Sequence, residues 1–356
     1  MSRQSSASCT LLAGGDVAPN RKKGRGMFGQ SAHLFQKADL AFVNLEHSLS
    51  RGGHPVLGKL RIHRGSPELI EGFAEAHFDA LAIANNHIRD FGEEGLFETI
   101  DHLDKHSIPF VGAGRNLSEA RAPTILDRNG LRIGILAYSS LLPQGFAAGP
   151  KQSGVNPLRV KTAYIPVGNL DETPGKAPQI LTWAVPEDLR RMKNDIQRLK
   201  RKVDVLLVNN HWGVSMVHEV RDFQREIAHA AIDAGADVIL GNHPHVLQGM
   251  EFYKGRPIVH SLGNFIFDIV EPFFTDATLQ TFLFGCKLIK GGVRDLYILP
   301  CRCGVGEPPK LLSPSQGEGQ KIVEMMDFLS KPFGTRLEVR GGRVIVIPPG
   351  GQSSSK

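Results

Sequence analysis

Asp237-Val238-Ile239-Leu240-Gly241-Asn242-His243-Pro244-His245 decides how the rest of this chain is read. The apolar run predicts a short buried strand that stops abruptly at Gly241. Pro244 removes a backbone donor and fixes φ, so neither a strand nor a helix continues through it. The result is a rigid loop that aims His243 and His245 at one point. Neutral imidazole is the commonest protein ligand for a transition metal. A lone His-Pro-His says little, but other strand-like runs in the chain end in the same kind of side chain.

Working outward, residues 10–16 predict a strand that closes on Asp16, and residues 40–45 one followed by Glu46. Residues 80–84 lead into Asn85-Asn86-His87, and residues 203–208 into Asn209-Asn210-His211-Trp212-Gly213. Helical spacing falls between these runs at 28–37, 67–76, 92–105, 186–200 and 223–234. Ser66 is the expected N-cap of the second helix, with Pro67 at its first position. Residues 109–112 and 257–262 read as further strands. Asn129-Gly130 predicts a hairpin joining 124–127 to 131–138. Residues 281–348 alternate like antiparallel strands, with one helix at 319–329. About residues 142–180 the chain lacks periodicity and is rich in Gly and Pro, which predicts an insertion or lid near the site. A single domain over 10–348 is expected, with residues 1–9 and 349–356 disordered. Alternating strands and helices argue an α/β fold, and the later hairpins argue mixed sheets packed together. Ligands of such sheets sit beyond the carboxyl ends of strands, where every candidate residue here lies.

The 356 residues suffice for a large core, and 41% hydrophobic with 22% charged residues is ordinary for a globular chain. A net charge of +6 fits an anionic substrate, small or polymeric. No aromatic interleaving of the basic residues suggests a nucleic-acid partner. Four cysteines, Cys9, Cys286, Cys301 and Cys303, are too few and too irregularly spaced for a disulfide framework, so buried free thiols in a reducing compartment are expected. No apolar run approaches the roughly 18–20 residues of a membrane span. Cytoplasmic placement follows as the expectation.

Asp16, Glu46, Asn86, His211, His243 and His245 form a mixed oxygen and nitrogen donor set. It lacks thiolates, which disfavours a structural zinc site. It is too rich in nitrogen for a calcium or magnesium cage. Manganese, iron or zinc suit it. The set exceeds what one catalytic ion needs, whereas two ions about 3.5–4 Å apart would use it, with Glu46 as a bridge. Taken singly each residue has a bland reading: Asp16 as a turn residue, Asn86 in a left-handed turn, His211 as a satisfied core histidine. Those readings would have to coincide at four strand ends. His63 takes the default reading of a lone histidine, a satisfied core residue.

The stretches Gly14-Gly15-Asp16, Val43-Asn44-Leu45-Glu46, Ala84-Asn85-Asn86-His87 with Asp90-Phe91-Gly92, Val111-Gly112-Ala113-Gly114, His211-Trp212-Gly213, His243-Pro244-His245-Val246-Leu247-Gln248 and Ser261-Leu262-Gly263-Asn264-Phe265 resemble the CapA-type poly-γ-glutamate capsule-biosynthesis family. That family lies within the calcineurin-like metallophosphatase superfamily. The resemblance runs from about Thr10 to Asp268. It implies a metallophosphatase-like four-layer αββα sandwich of two packed mixed sheets and a dimetal hydrolase centre ligated by Asp16, Glu46, Asn86, His211, His243 and His245. It makes His87 the donor of a proton to the leaving oxygen and Asp90 its orienting partner. Arg25, Lys59 and Arg64 are the candidate binders of substrate charge. The chain departs from the pattern at Ala18, where the superfamily's Asp-x-His has histidine, so one of the two ions is expected to be weak or absent. Glu46 replaces an aspartate, Asn242 replaces the first histidine of Gly-His-His-Pro-His, and Val214-Ser215-Met216 lacks a common acidic residue. Three functions compete: a phosphoesterase-type hydrolase, a γ-glutamyl or other amide hydrolase using the same site, and a non-catalytic accessory protein of polyglutamate synthesis.

Overall fold

The computed structural model describes residues 7–169, 171–269 and 275–351. Its first large sheet is ten-stranded. Its strands include β1 (Ser8–Ala18), β2 (Leu40–Leu45), β3 (Ala80–Ala82) and β4 (Phe110–Val111), which lie side by side and parallel in that order. The second sheet is six-stranded. It holds the hairpin β5 (Thr124–Arg128) and β6 (Leu131–Ser139), then β7 (Val205–His211) and β8 (Val238–Asn242), parallel to β6. It closes with the antiparallel pair β9 (Gln248–Tyr253) and β10 (Arg256–Ser261). The chain then returns to the first sheet. β11 (Asn264–Phe267) adds parallel to β1, and β12 (Gln280–Ile289), β13 (Gly292–Arg302), β14 (Arg336–Arg340) and β15 (Arg343–Ile347) extend it as antiparallel strands.

Strand alternation sorts the side chains into layers. Leu11, Ala13, Leu40 and Phe42 of the first sheet meet Ile133, Ile135, Val205, Leu207, Val238 and Leu240 of the second in one buried cluster. Their neighbours Leu12, Val43 and Leu45 face the other way. They pack with Phe35 of helix α1 (Gln30–Lys37), Phe73 of α2 (Ile70–Glu75) and Leu96, Ile100 and Leu103 of α3 (Gly92–Lys105). Leu136, Leu206, Val208 and Ile239 face outward from the second sheet. They are covered by Met192 and Ile196 of α4 (Pro186–Lys200) and Ile227 and Ala231 of α5 (Asp222–Ala234). Helix, sheet, sheet, helix is the four-layer αββα sandwich expected.

Several local expectations change. Ser8 and Cys9 already belong to β1, where Cys9 pairs with Leu288, so the first strand starts inside the stretch expected to be disordered. Residues 1–6 and 352–356 of the two expected tails lie outside the described residues. Ser66 makes no side-chain cap bond, and Pro67–Leu69 is a tighter 3₁₀ turn before α2. The stretch about 142–180 is not structureless: Val160–Ile165 pairs with Gln179–Ala184 in a two-stranded ribbon. Its polar–apolar pattern is blurred because Tyr164, Ile180 and Trp183 are exposed. Asn129 and Gly130 take positive φ, as their hairpin turn requires. No helix among the described residues is long and apolar enough to cross a membrane.

Candidate metal centre

The carboxyl ends of β1, β2, β7 and β8 converge, and each delivers a polar side chain into the space between the sheets. Asp16, Glu46, His211, His243 and His245 are all buried. They form two trios, Glu46–His211–His243 and Asp16–Glu46–His245, in each of which one ligand atom per residue lies within 4.8 Å of the others. Glu46 belongs to both. Its Oε1 is 3.7 Å from His211 Nε2 and 3.6 Å from His245 Nε2. Asn86 joins the first trio, with Oδ1 2.7 Å from His211 Nε2. The six expected ligands are therefore brought together.

The surroundings orient these groups and leave Glu46 unanswered. Asn44 Nδ2 donates to Asp16 Oδ1 at 2.8 Å, and the His243 amide to Oδ2 at 3.1 Å. Asn85 Nδ2 donates to the Leu45 carbonyl at 2.7 Å, bracing the loop that carries Asn86. Both Glu46 oxygens are buried without a hydrogen-bond partner, as are Nδ1 of His211 and of His243. Burial, and then Asp16, push the Glu46 carboxyl well above the ordinary glutamate range. Burial also raises Asp16. It drives His211 and His243 well below the usual histidine range and lowers His245. A buried carboxylate without protein partners beside neutral imidazoles is the donor set that a dication would satisfy. The residues fit two such ions. His243 (φ 95°) and His245 (φ 59°) hold left-handed backbone, a conformation that costs roughly 1–3 kcal/mol each in non-glycine residues and that clusters at functional sites. The Met216 amide, donating to the Pro244 carbonyl at 2.8 Å, helps hold the loop.

Beside the ligands lies a cleft of about 350 Å³ whose lining includes Lys59, Arg61, His63, His87, His243 and His245, and, among the described residues, no acidic side chain. His87 Nδ1 is 2.7 Å from Asp90 Oδ2, the pairing expected. Asp90 is the hub of a strap formed by residues 55–63. Its carbonyl accepts from the Val56 amide at 2.9 Å, Oδ2 from the His63 amide at 2.7 Å, and Oδ1 from Lys59 Nζ. Lys59 also donates to the Asn86 carbonyl and lies 3.0 Å from His87 Nδ1. Its charge is therefore engaged within the site. Burial raises the Asp90 carboxyl to about 6 against the pull of Lys59, and burial with the Lys59 charge depresses His87.

The other candidate anion binders stand apart. Arg25 pairs with Glu71 at 3.0 Å, and Arg64 lies over the Phe91 ring and donates to the Arg51 carbonyl at 3.1 Å; neither lines the cleft. Arg61 and His63 do line it. The His63 and His87 ring centroids lie 4.5 Å apart, with the rings tilted at 36°. The signal for them was available: Lys59, Arg61 and His63 alternate, which puts them on one side of an extended strap. Ala18, where the Asp-x-His pattern has histidine, is buried against Phe267 and Cys303, so no imidazole reaches the centre from there. The insertion touches the strap at its start: Arg89 donates to the Gly145 carbonyl, and Lys59 Nζ lies 5.2 Å from the Phe146 ring centre.

A four-layer αββα sandwich with a buried carboxylate–imidazole cluster where its sheets converge defines this protein as the frame of a candidate dinuclear metal centre. Residues 10–269 match the family model for the bacterial capsule synthesis protein PGA_cap, and the chain belongs to that CapA-type family. It is 31% identical over 237 residues to the PGA biosynthesis protein CapA of Bacillus subtilis, covering 66% of this chain and 55% of that protein. It is 28% identical over 291 residues to the capsule biosynthesis protein CapA of Bacillus anthracis, covering 79% and 64%. A probable polyglutamine synthesis accessory protein of Mycobacterium tuberculosis is 26% identical over 330 residues, covering 89% and 79%. The chain thus spans somewhat over half the length of the two CapA relatives.

Proposed function

We propose that this protein is a metal-dependent hydrolase of the metallophosphatase type that acts on an anionic substrate. The observation that carries the reading is Glu46, a buried carboxylate with no protein partner, shared between two trios of ligand atoms. Asp16, Glu46 and His245 would hold one ion, and Glu46, Asn86, His211 and His243 the other, with manganese, iron or zinc suited to the donors. Such ions supply Lewis-acid polarisation and a water acidic enough to attack near neutral pH. The chain's own residues do the rest. Arg61 and the cleft imidazoles draw in the substrate's negative charge, and no acidic side chain among the described residues lines the cleft. Asp90 fixes the His87 ring through Nδ1, so that His87 exchanges a proton with the leaving oxygen. Lys59 balances the Asp90 charge and ties the strap across the cleft.

A second reading, in which the same centre cleaves a γ-glutamyl or other amide bond or serves polyglutamate synthesis without catalysis, is favoured by two observations. Relatives carry PGA biosynthesis and accessory-protein names, and Ala18 withholds one imidazole. Placement in the cytoplasm belongs to the proposal and accords with four buried free thiols. The test is manganese- or zinc-supplemented turnover of a phosphodiester alongside γ-linked glutamate oligomers, the latter read by mass spectrometry. Phosphodiester cleavage lost in His87→Ala and His243→Ala supports the first reading. Oligomer cleavage with no phosphodiester turnover supports the amide reading, and activity unchanged in both variants contradicts the site.

A further inference from the structure

The stretch Ser261-Leu262-Gly263-Asn264-Phe265 contributes none of the six ligands, yet it is built against them. β11 lies parallel to β1 with Asn264 directly opposite Asp16. The Gly263 carbonyl accepts the Asp16 amide at 3.0 Å. The approach is so close that a Cβ on Gly15 would stand 1.9 Å from that carbonyl oxygen, which explains the glycine before Asp16. Asn264 is fully buried and reaches the His245 ring.

The orientation of the Asn264 amide follows from its partners. Its Nδ2 lies 3.2 Å from the Thr278 carbonyl and 3.5 Å from the His245 carbonyl. Carbonyls only accept, so the NH₂ end must face them, and Oδ1 is left to face His245 Nδ1 at 2.9 Å. An amide oxygen also only accepts, so Nδ1 must carry the ring proton. Nε2 then holds the lone pair, and it is Nε2 that lies 3.6 Å from Glu46 Oε1, inside the candidate centre. The same residue that holds the ring also touches the carbonyl of a residue in left-handed backbone.

We infer that Asn264 is a positioning residue for the Asp16–Glu46–His245 ion: it locks His245 in the Nδ1–H tautomer and so presents Nε2 to the metal. The inference rests on the metal centre proposed above, and it bears on the half of that centre where Ala18 offers no imidazole. With a ligand missing on that side, ring orientation through Asn264 counts for more. Partners of ligating histidines commonly change metal affinity 10- to 100-fold when removed.

Two experiments test it. In chelator-treated wild type, nitrogen NMR of ¹⁵N-histidine protein should show His245 as the Nδ1–H tautomer; an Nε2–H tautomer overturns the inference. In manganese titrations by calorimetry, Asn264→Ala should weaken one of two binding events by 10- to 100-fold and leave the other near its wild-type value. Asn264→Asp keeps the acceptor at Nδ1 but sets an oxygen against the Thr278 and His245 carbonyls, so it should weaken the same event less than Asn264→Ala does. Wild-type binding in Asn264→Ala, or equal weakening of both binding events in it, overturns the inference. A wild type that binds no metal removes the proposed hydrolase, and the tautomer measurement still decides the role of Asn264.

Discussion

Glu46 and Glu251 are both buried glutamates, 1% and 4% exposed, and both sit at or within strands beside histidines. Their surroundings are opposite. Glu251, in β9, is answered on both oxygens: His229 Nε2 at 2.7 Å and Arg225 at 3.1 Å meet Oε1, and His260 Nε2 at 3.0 Å meets Oε2. Burial pushes its carboxyl up, but those donors prevail and hold it at about 2. Glu46 has no donor on either oxygen, and its carboxyl is driven upward. One buried charge is neutralised by the protein. The other finds no hydrogen-bond donor among the described residues. A satisfied buried carboxylate is architecture, and an unsatisfied one inside a cluster of imidazoles is a site.

The contrast predicts stability effects of opposite sign. Glu251→Gln should destabilise the protein most, by about 3 kcal/mol at pH 7, from the depressed carboxyl and the stranded His260 and Arg225. Urea denaturation measures it, and a loss within about 0.5 kcal/mol of zero breaks the comparison. The pH dependence has a definite sign. The folded Glu251 carboxyl titrates at about 2 and an unfolded one at about 4.3, so its contribution is whole above that upper value and is lost as pH falls toward the lower. The difference between wild type and Glu251→Gln should therefore shrink between pH 5 and 3, and a constant difference contradicts the pairing.

Glu46→Gln should act the other way, raising the unfolding free energy of the chelator-treated protein by about 1–2 kcal/mol, because an unpartnered buried charge is removed. The same variant should lose the stabilisation that manganese or zinc gives the wild type, read as the shift of the thermal midpoint on adding metal. The smallest effect is expected at the strap. Asp90→Asn should leave global stability within about 1 kcal/mol while exchange of the His63 amide speeds up, since that amide donates to the Asp90 carboxylate. Unchanged exchange at the His63 amide would remove the Asp90 carboxylate as the hub.

Much of this is legible in the sequence. The apolar runs before Asp16, Glu46, Asn86, His211 and His243 are strands because parallel strands buried on both faces leave a continuous apolar trace in sequence. What could not be read was which buried acid is satisfied. Glu251 takes its donors from α5, 22 and 26 residues away, and from β10, and nothing local announces them. β9 itself was missed, since Gln248-Gly249-Met250-Glu251 mixes polar and apolar residues on a strand buried on both faces. Lys59 was read as a substrate clamp, whereas its nitrogen is tied to Asp90 and the Asn86 carbonyl. For Arg61 and His63 the signal is only their alternation with Lys59, since a strap has no core face to strengthen it. Asn264 was noticed only as part of a pattern; its role depends on a parallel pairing with β1 across 248 positions of sequence.

The central claim is that Glu46 is unpartnered because it is the shared seat of two cations. Calorimetric titration of the chelator-treated chain with manganese, paired with elemental analysis after dialysis, tests it most directly. The account predicts about two ions per wild-type chain, the Asn264-supported one weaker, and both lost or severely weakened in Glu46→Gln. Fewer than about one ion per wild-type chain, or a Glu46→Gln chain that binds as the wild type does, would contradict it.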